Sequence, residues 1–175
     1  IDFILQNTQG MFSLDMPESS VRIKALEQLD EKDALDRTIY NSINLGITDE
    51  EERALKDHTP KAAIILGYNP QDDSAQGRLD MIRDGGALLD NGLLELAGEL
   101  GIGYTLLDTA AQSFGEGASE SLRAVPVFKS EFGLPTGCAM HNTVEAWLWL
   151  QDKEKDLRRS LDSTIDALPV LLGAD

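Results

Sequence analysis

The sequence predicts an α/β fold made of repeated strand–loop–helix units, a (β/α)8 TIM barrel cut at both ends. Three observations carry this. Short apolar runs recur along the chain, each followed by an amide or carboxylate at Asp15, Asn41, Asn69, Asp108 and Asn142. The spacings between these positions are 26, 28, 39 and 34 residues, the length of a βα unit. Between the runs, apolar residues fall at helical spacing. A doubly wound open sheet is the alternative. No G-x-G-x-x-G follows any run, so its dinucleotide-binding version lacks support.

The clearest unit is Tyr104-Thr-Leu-Leu-Asp108. An apolar run stops abruptly at a carboxylate, and a Gly-containing loop from Gln112 to Ser119 leads into a helical pattern. In parallel α/β sheets the carboxyl ends of the strands face the ligand crevice, so a charge there is a candidate for chemistry.

Taken in order, Ile1–Asn7 reads as the end of a helix. Met11–Asp15 is a short strand, and Pro17 opens a helix over Glu18–Leu29. Arg37–Asn44 is the next strand, followed by a helix from Glu50 to Asp57 whose capping box pairs Thr48 with Glu51. Lys61–Asn69 is apolar without alternation, as buried parallel strands are. A short helix falls near Arg78–Arg83, and another runs from Leu93 to Leu100, capped by Asp90 or Asn91 and stopped by Gly101. After the Tyr104–Asp108 strand comes a helix over Ala118–Phe132, with Pro126 predicting a kink and Gly133 an end. Leu134–Asn142 reads as a strand running into a tight loop, Asn142 capping a long helix from Thr143 to about Leu161. A last helix covers Ser163–Leu172, with Pro169 inside it. The apolar run at Ile1 and the strand-like Val170–Ala174 at the other end suggest a single barrel domain missing its first strands and its last.

Composition narrows the partners. The net charge of −16 disfavours a phosphate backbone or an anionic membrane surface, so neither nucleic acid nor membrane insertion is expected. One cysteine, Cys138, excludes an internal disulfide framework and fits a cytoplasmic location. No apolar run approaches the ~20 residues of a membrane span.

The strand-end set is also informative for what it lacks. There is no strand-end Lys for a Schiff base, no G-x-S-x-G elbow and no His-rich metal set. Carboxylates and amides suit a flat heterocycle with alternating donors and acceptors: Asp accepts from an amino-pyrimidinone edge, and Asn both donates and accepts. Pterins present that edge. Each residue also has a plain alternative, since an Asp or Asn closing a strand is often a turn former or helix cap. Asp15 and Asn142 fit that alternative well. Asp108 and Asn41 fit it less well, because their helices begin several residues later. Cys138 and His141 have C-x-x-H spacing, but the only other histidine, His58, is distant in sequence, so no metal is expected. Cys138 reads as a small buried residue, and His141 as either a ligand contact or a structural hydrogen bond.

Several short runs together resemble a known family. Ile39-Tyr-Asn-Ser-Ile-Asn44 with Asp49–Glu52, then Leu107–Ala110, then Gly133–Gly137 with His141-Asn142 and Ala146-Trp147, are similar to the H subunit of tetrahydromethanopterin S-methyltransferase. They also resemble bacterial methyltransferases that exchange methyl groups between a corrinoid protein and tetrahydrofolate. The resemblance is collinear over nearly the whole chain.

It implies a TIM barrel of the pterin-binding type and methyl transfer between N5 of a methyl-tetrahydropterin and the cobalt of a corrinoid. That corrinoid (cobalamin-like) cofactor would be carried by a separate partner protein, and a homodimer is a further expectation. It places Asp15, Asn41 and Asp108 around the pyrimidinone ring and Asn142 near N5, with His141 beside it; Asp108 and Asn142 are the expected catalytic pair. Two other readings remain open on the sequence: a dihydropteroate-synthase-like condensing enzyme, which would want a phosphate-binding cation at a late strand end, and a non-catalytic subunit that only docks a corrinoid protein.

Overall fold

The computed structural model describes residues 1–175. Five strands, β1 (Phe12–Asp15), β2 (Thr38–Ile43), β3 (Ala62–Leu66), β4 (Tyr104–Asp108) and β5 (Thr136–Gly137), form one sheet in the order β1-β2-β3-β4-β5, every pairing parallel. The connecting helices are α1 (Asp2–Asn7), α2 (Ser19–Glu31), α3 (Asp49–Asp57), α4 (Ala75–Asp84), α5 (Leu93–Glu99), α6 (Ala118–Phe132), α7 (Met140–Glu145), α8 (Leu148–Gln151) and α9 (Lys155–Leu171). The strand order never reverses. A doubly wound sheet requires a reversal, so the order is that of consecutive β/α units, as in part of a barrel.

Register sorts the side chains into two faces. Asp15 pairs with Asn41, Asn41 with Ile64, and Ile64 with Leu106. Residues paired across a sheet project to the same side, and neighbours along a strand to opposite sides. Leu14, Tyr40, Ala63, Ile65 and Leu107 therefore share one face, where they are buried with Leu26, Leu29, Leu55 and Phe128 of the surrounding helices. The other face carries Asp15, Asn41, Ile64, Leu106 and Asp108. It is open enough that Tyr104 is 62% exposed.

Local signals set several boundaries. In α3, Glu51 N–H donates to Thr48 Oγ1 and Thr48 N–H to Glu51 Oε2, each at 3.3 Å, completing the predicted capping box. α6 ends at Gly133, whose φ of 63° suits a residue without Cβ. Within α6 the chain passes Pro126 as one helix, held by buried Ala124, Val125 and Phe128. α5 begins after Gly92 with no side-chain cap, so neither Asp90 nor Asn91 plays that part.

The largest departure from the sequence reading follows β4. β5 is only two residues long, and helix begins at Met140, so Asn142 lies in the first turn of α7 instead of closing a strand. The single helix expected from Thr143 to Leu161 is three helices. Trp147 turns extended (ψ 95°) and brings its ring within 4.7 Å of Phe114 and 5.0 Å of Trp149. Val144, Leu150 and Ile165 then bury around Met140 and Ala118 in a second small core. Burying apolar area at two angles outweighs continuing one amphipathic helix. α9 absorbs the helix predicted around Ser163–Leu172, with Pro169 in its final turn.

Candidate active site

The site is built around Asp108 at the carboxyl end of β4. Ala110 N–H donates to Asp108 Oδ1 at 2.7 Å. That bond requires a sharp turn, and Ala110 takes a left-handed φ of 59°, which costs an alanine free energy and persists only where its surroundings impose it. The surroundings here are Arg78, fully buried in α4. Its guanidinium donates to Thr109 O at 2.5 Å, Ala110 O at 2.6 Å, Gln112 Oε1 at 3.0 Å and Asp73 O at 2.9 Å. Ser121 Oγ also donates to Ala110 O, at 2.9 Å. One buried cation thus shapes the whole loop after β4.

Burial raises the Asp108 carboxyl above the usual carboxylate range, against the Ala110 N–H bond and the nearby Arg78 charge, which both draw it down. Asp108 has room for a ligand on two sides. A cavity of about 370 Å³ is lined by Asp108 with Leu66, Tyr68, Gln112 and Asn142. A second, of about 340 Å³, is lined by Asp108 with Ile64, Leu106, Pro135 and Cys138. The first lies at the rim and the second on the open face of the sheet.

Asp15 and Asn41 stand next to each other in register on that same open face. A buried network fixes the segments that follow them. Tyr40, alternate to Asn41 and therefore on the opposite face, donates its hydroxyl to Glu51 Oε1 at 2.5 Å. Arg22 Nε donates to the same oxygen at 2.8 Å and to Tyr40 Oη at 3.0 Å. Arg22 also reaches Met16 O at 2.5 Å and Pro17 O at 3.1 Å, just beyond Asp15. Burial alone would raise the Glu51 carboxyl, but the Tyr40 and Arg22 hydrogen bonds outweigh it and hold it below the usual range.

The structure brings together some of the expected residues and separates others. Asn142, although helical, lines the same cavity as Asp108. His141, its neighbour, turns away: Nδ1 lies 3.0 Å from Asp162 Oδ1 on α9, and the ring is absent from both Asp108 cavities. The helix explains this, since consecutive helical residues point about 100° apart. With Asp162 and Asp166, His141 also forms an exposed group whose ligand atoms lie within 4.8 Å of one another. Asn69 is 3% exposed and points into its own loop, accepting from Gln71 and Asp72 N–H and donating to Gly77 O. It organises the β3–α4 connection. Burial pushes the Cys138 thiol up to about 11, so at neutral pH it stays protonated.

Sequence reading passes over Arg78, Ala110, and the Tyr40–Glu51–Arg22 network. Only Arg78 leaves a trace: a cation among Ala75, Leu79, Met81 and Ile82, where a helix turns its apolar side inward.

An open, parallel β/α sheet with carboxylate and amide side chains along its open face defines the class of this protein. A family model described as the tetrahydromethanopterin S-methyltransferase MtrH subunit matches residues 1–172, and the chain belongs to that family. It is 41% identical to the H subunit of the putative mtx methyltransferase of Methanosarcina mazei over 157 residues, which is 89% of this chain and 51% of the relative. It is 38% identical over 160 residues to the H subunit of tetrahydromethanopterin S-methyltransferase from Methanococcus aeolicus, covering 91% of this chain and 50% of the relative. The corresponding protein of Methanothermobacter thermautotrophicus is 36% identical over 156 residues, 89% of this chain and 50% of the relative. The chain spans about half the length of the curated relatives it matches. No helix is long and apolar enough to cross a membrane.

Proposed function

We propose that the protein moves a methyl group between N5 of a methyl-tetrahydropterin and the cobalt of a corrinoid held by a partner protein, on a complete (β/α)8 barrel in the cytoplasm. The observation that carries this is the shared placement of Asp15, Asn41 and Asp108 on the open face of the sheet, with Asn142 on the same cavity as Asp108. Asp108 lies two residues further along β4 than Leu106, which is level with Asn41 through Ile64. In a closed eight-stranded barrel of shear 8 the register steps by about one residue per strand, so over two strands these side chains reach one level of the rim.

Each residue has a chemical part. Asp15, Asn41 and Asp108 supply acceptors and an amide for the amino-pyrimidinone edge of the ring. Asn142 stands where it hydrogen-bonds near N5. A tertiary amine leaves poorly unless positive charge develops on N5 and is stabilised there, so a hydrogen-bond network that strengthens in the transition state gives the catalysis. The corrinoid supplies the methyl acceptor or donor. No enzyme nucleophile is required, and the protonated Cys138 thiol is unsuited to be one. The corrinoid partner docks at the strand carboxyl ends, where both cavities open. The rest of the work is alignment of two reactants.

Calorimetric titration of the complete protein with tetrahydromethanopterin and with tetrahydrofolate tests this. Binding of one, weakened by about 1–3 kcal/mol in Asp108→Ala, is the expected result. Absence of binding to both leaves only a docking subunit and overturns the proposal. The family's name favours tetrahydromethanopterin as the tighter ligand.

A further inference from the structure

Cations are scarce in this chain, 15 against 31 acidic residues. Yet Lys153, Lys155, Arg158 and Arg159 line one cavity of about 330 Å³, shared with Glu145 and Asp162. Lys153 lies over the Trp149 ring at 4.6 Å, but folding gives little reason for the other three. Lys155, Arg158 and Arg159 fall within the first five residues of α9, the end at which the helix dipole disfavours positive charge. Arg158 approaches Glu145 only at 3.9 Å, and no ion pair includes Lys153, Lys155 or Arg159. Glu154, at the N-cap position, makes no side-chain cap, which leaves the first-turn N–H groups of α9 free to face an anion.

The cavity is linked to the Asp108 site through α7. At the far end of α9, Asp175 N–H donates to Thr136 O at 3.0 Å, returning the chain to the start of β5. α9 has 17 residues and is therefore roughly 25 Å long, so its N-terminus lies far along the helix from Thr136 and Asp175. α7 joins the two places. Asn142 lines the Asp108 cavity, and Glu145, about 4.5 Å further along the helix axis, lines the basic one.

We propose that this cavity is an anion subsite that holds the phosphate- or carboxylate-bearing tail of the pterin whose ring lies over Asp108. The inference rests on the pterin reading above and adds to it the part of the substrate that the open face leaves unaccounted for. Two guanidinium forks and two ammonium groups suit several anionic oxygens at once. In a chain of net charge −16, a local positive pocket also marks where an anion enters.

The test compares three ligands on the complete protein: tetrahydromethanopterin, tetrahydrofolate, and 6-methyltetrahydropterin, which keeps the ring and lacks a charged tail. The tailed ligand is expected to bind at least ~10-fold more tightly than the tail-less one, a gap that closes in Arg158→Gln/Arg159→Gln and shrinks with added salt. Inorganic phosphate is expected to compete with the tailed ligand only. Equal binding of tailed and tail-less pterins, or a gap that survives the double variant, overturns the subsite while leaving the ring site standing. Failure of all three ligands to bind removes the pterin reading itself and the subsite with it.

Discussion

Arg78 and Ala110 define each other's conformation. The buried guanidinium donates to the Ala110 carbonyl at 2.6 Å, and that bond holds an alanine at a φ of 59°, from which its own N–H reaches Asp108. The candidate catalytic carboxylate is thus set by a residue on another helix that never touches the open face.

Replacing Arg78 with Met should leave the Thr109 carbonyl buried without a donor and the Ala110 carbonyl with Ser121 Oγ alone. The expected loss of stability is about 3 kcal/mol, read from urea unfolding of the complete protein. Arg78→Lys keeps the charge but cannot make four bonds in one plane, so it should recover only part of that loss. A loss below roughly 0.5 kcal/mol for Arg78→Met would show that the loop holds its shape unaided.

Asp108 gives a pH dependence with a definite sign. Its folded-state pKa lies above its unfolded value, so the folded protein binds the proton more tightly. The stabilising contribution is complete below the unfolded pKa and declines as pH rises through the folded pKa. Once ionised, the buried carboxylate is a cost to the fold. Asp108→Asn, which still accepts from Ala110 N–H, should melt higher than the parent at about pH 7 and lose pterin affinity. A lower melting temperature in the variant contradicts this.

Glu51 behaves in the opposite sense. Its folded pKa is depressed, so its contribution is present above the unfolded pKa and is lost as pH falls through the folded one. Glu51→Ala leaves Arg22 half-stranded, with side-chain exposure of only 11%, and should cost about 3–5 kcal/mol. Tyr40→Phe removes two bonds, one donated to Glu51 Oε1 and one accepted from Arg22 Nε, and should cost about 1–3 kcal/mol. Thermal melts across the acid range would show the parent weakening and Glu51→Ala nearly flat over the window in which Glu51 titrates.

Gly77→Ala tests the packing beneath Arg78. A Cβ there would stand 2.2 Å from the Asp72 carbonyl oxygen, a backbone atom with little freedom to retreat. The expected cost is about 1–3 kcal/mol, with displacement of the Asn69 loop detectable as faster amide exchange at Gln71 and Asp72. Unchanged stability and exchange would mean the loop yields freely.

Much of this arrangement is legible in the sequence, and the reasons are local. β4 and α6 have the limits the sequence predicts, because an apolar run, a closing carboxylate and a terminal glycine each act within a few residues. Asp15 and Asp108 close their strands as the apolar runs predict, whereas Asn41 lies two residues before the end of β2. The Arg22–Glu51 contact joins residues 29 apart, and the Arg78–Ala110 contact residues 32 apart, so neither leaves a periodic signal. Asn142 departs from its expected place for a different reason. Thr136–Gly137 is too short a strand to outlast the pull of α7, and the Phe114–Trp147–Trp149 stack that bends the following helix depends on a loop 33 residues upstream.

Each strand of the sheet pairs with the strand made immediately before it. During synthesis, each of β2 to β5 finds its preceding neighbour already in place. The open face is written in the same order: first Asp15, then Asn41, then Asp108. A ribosome-bound intermediate ending after β2 would already hold two of the three side chains in register, while the loop that aims the third can form only once β4 has emerged to meet an Arg78 that is already waiting.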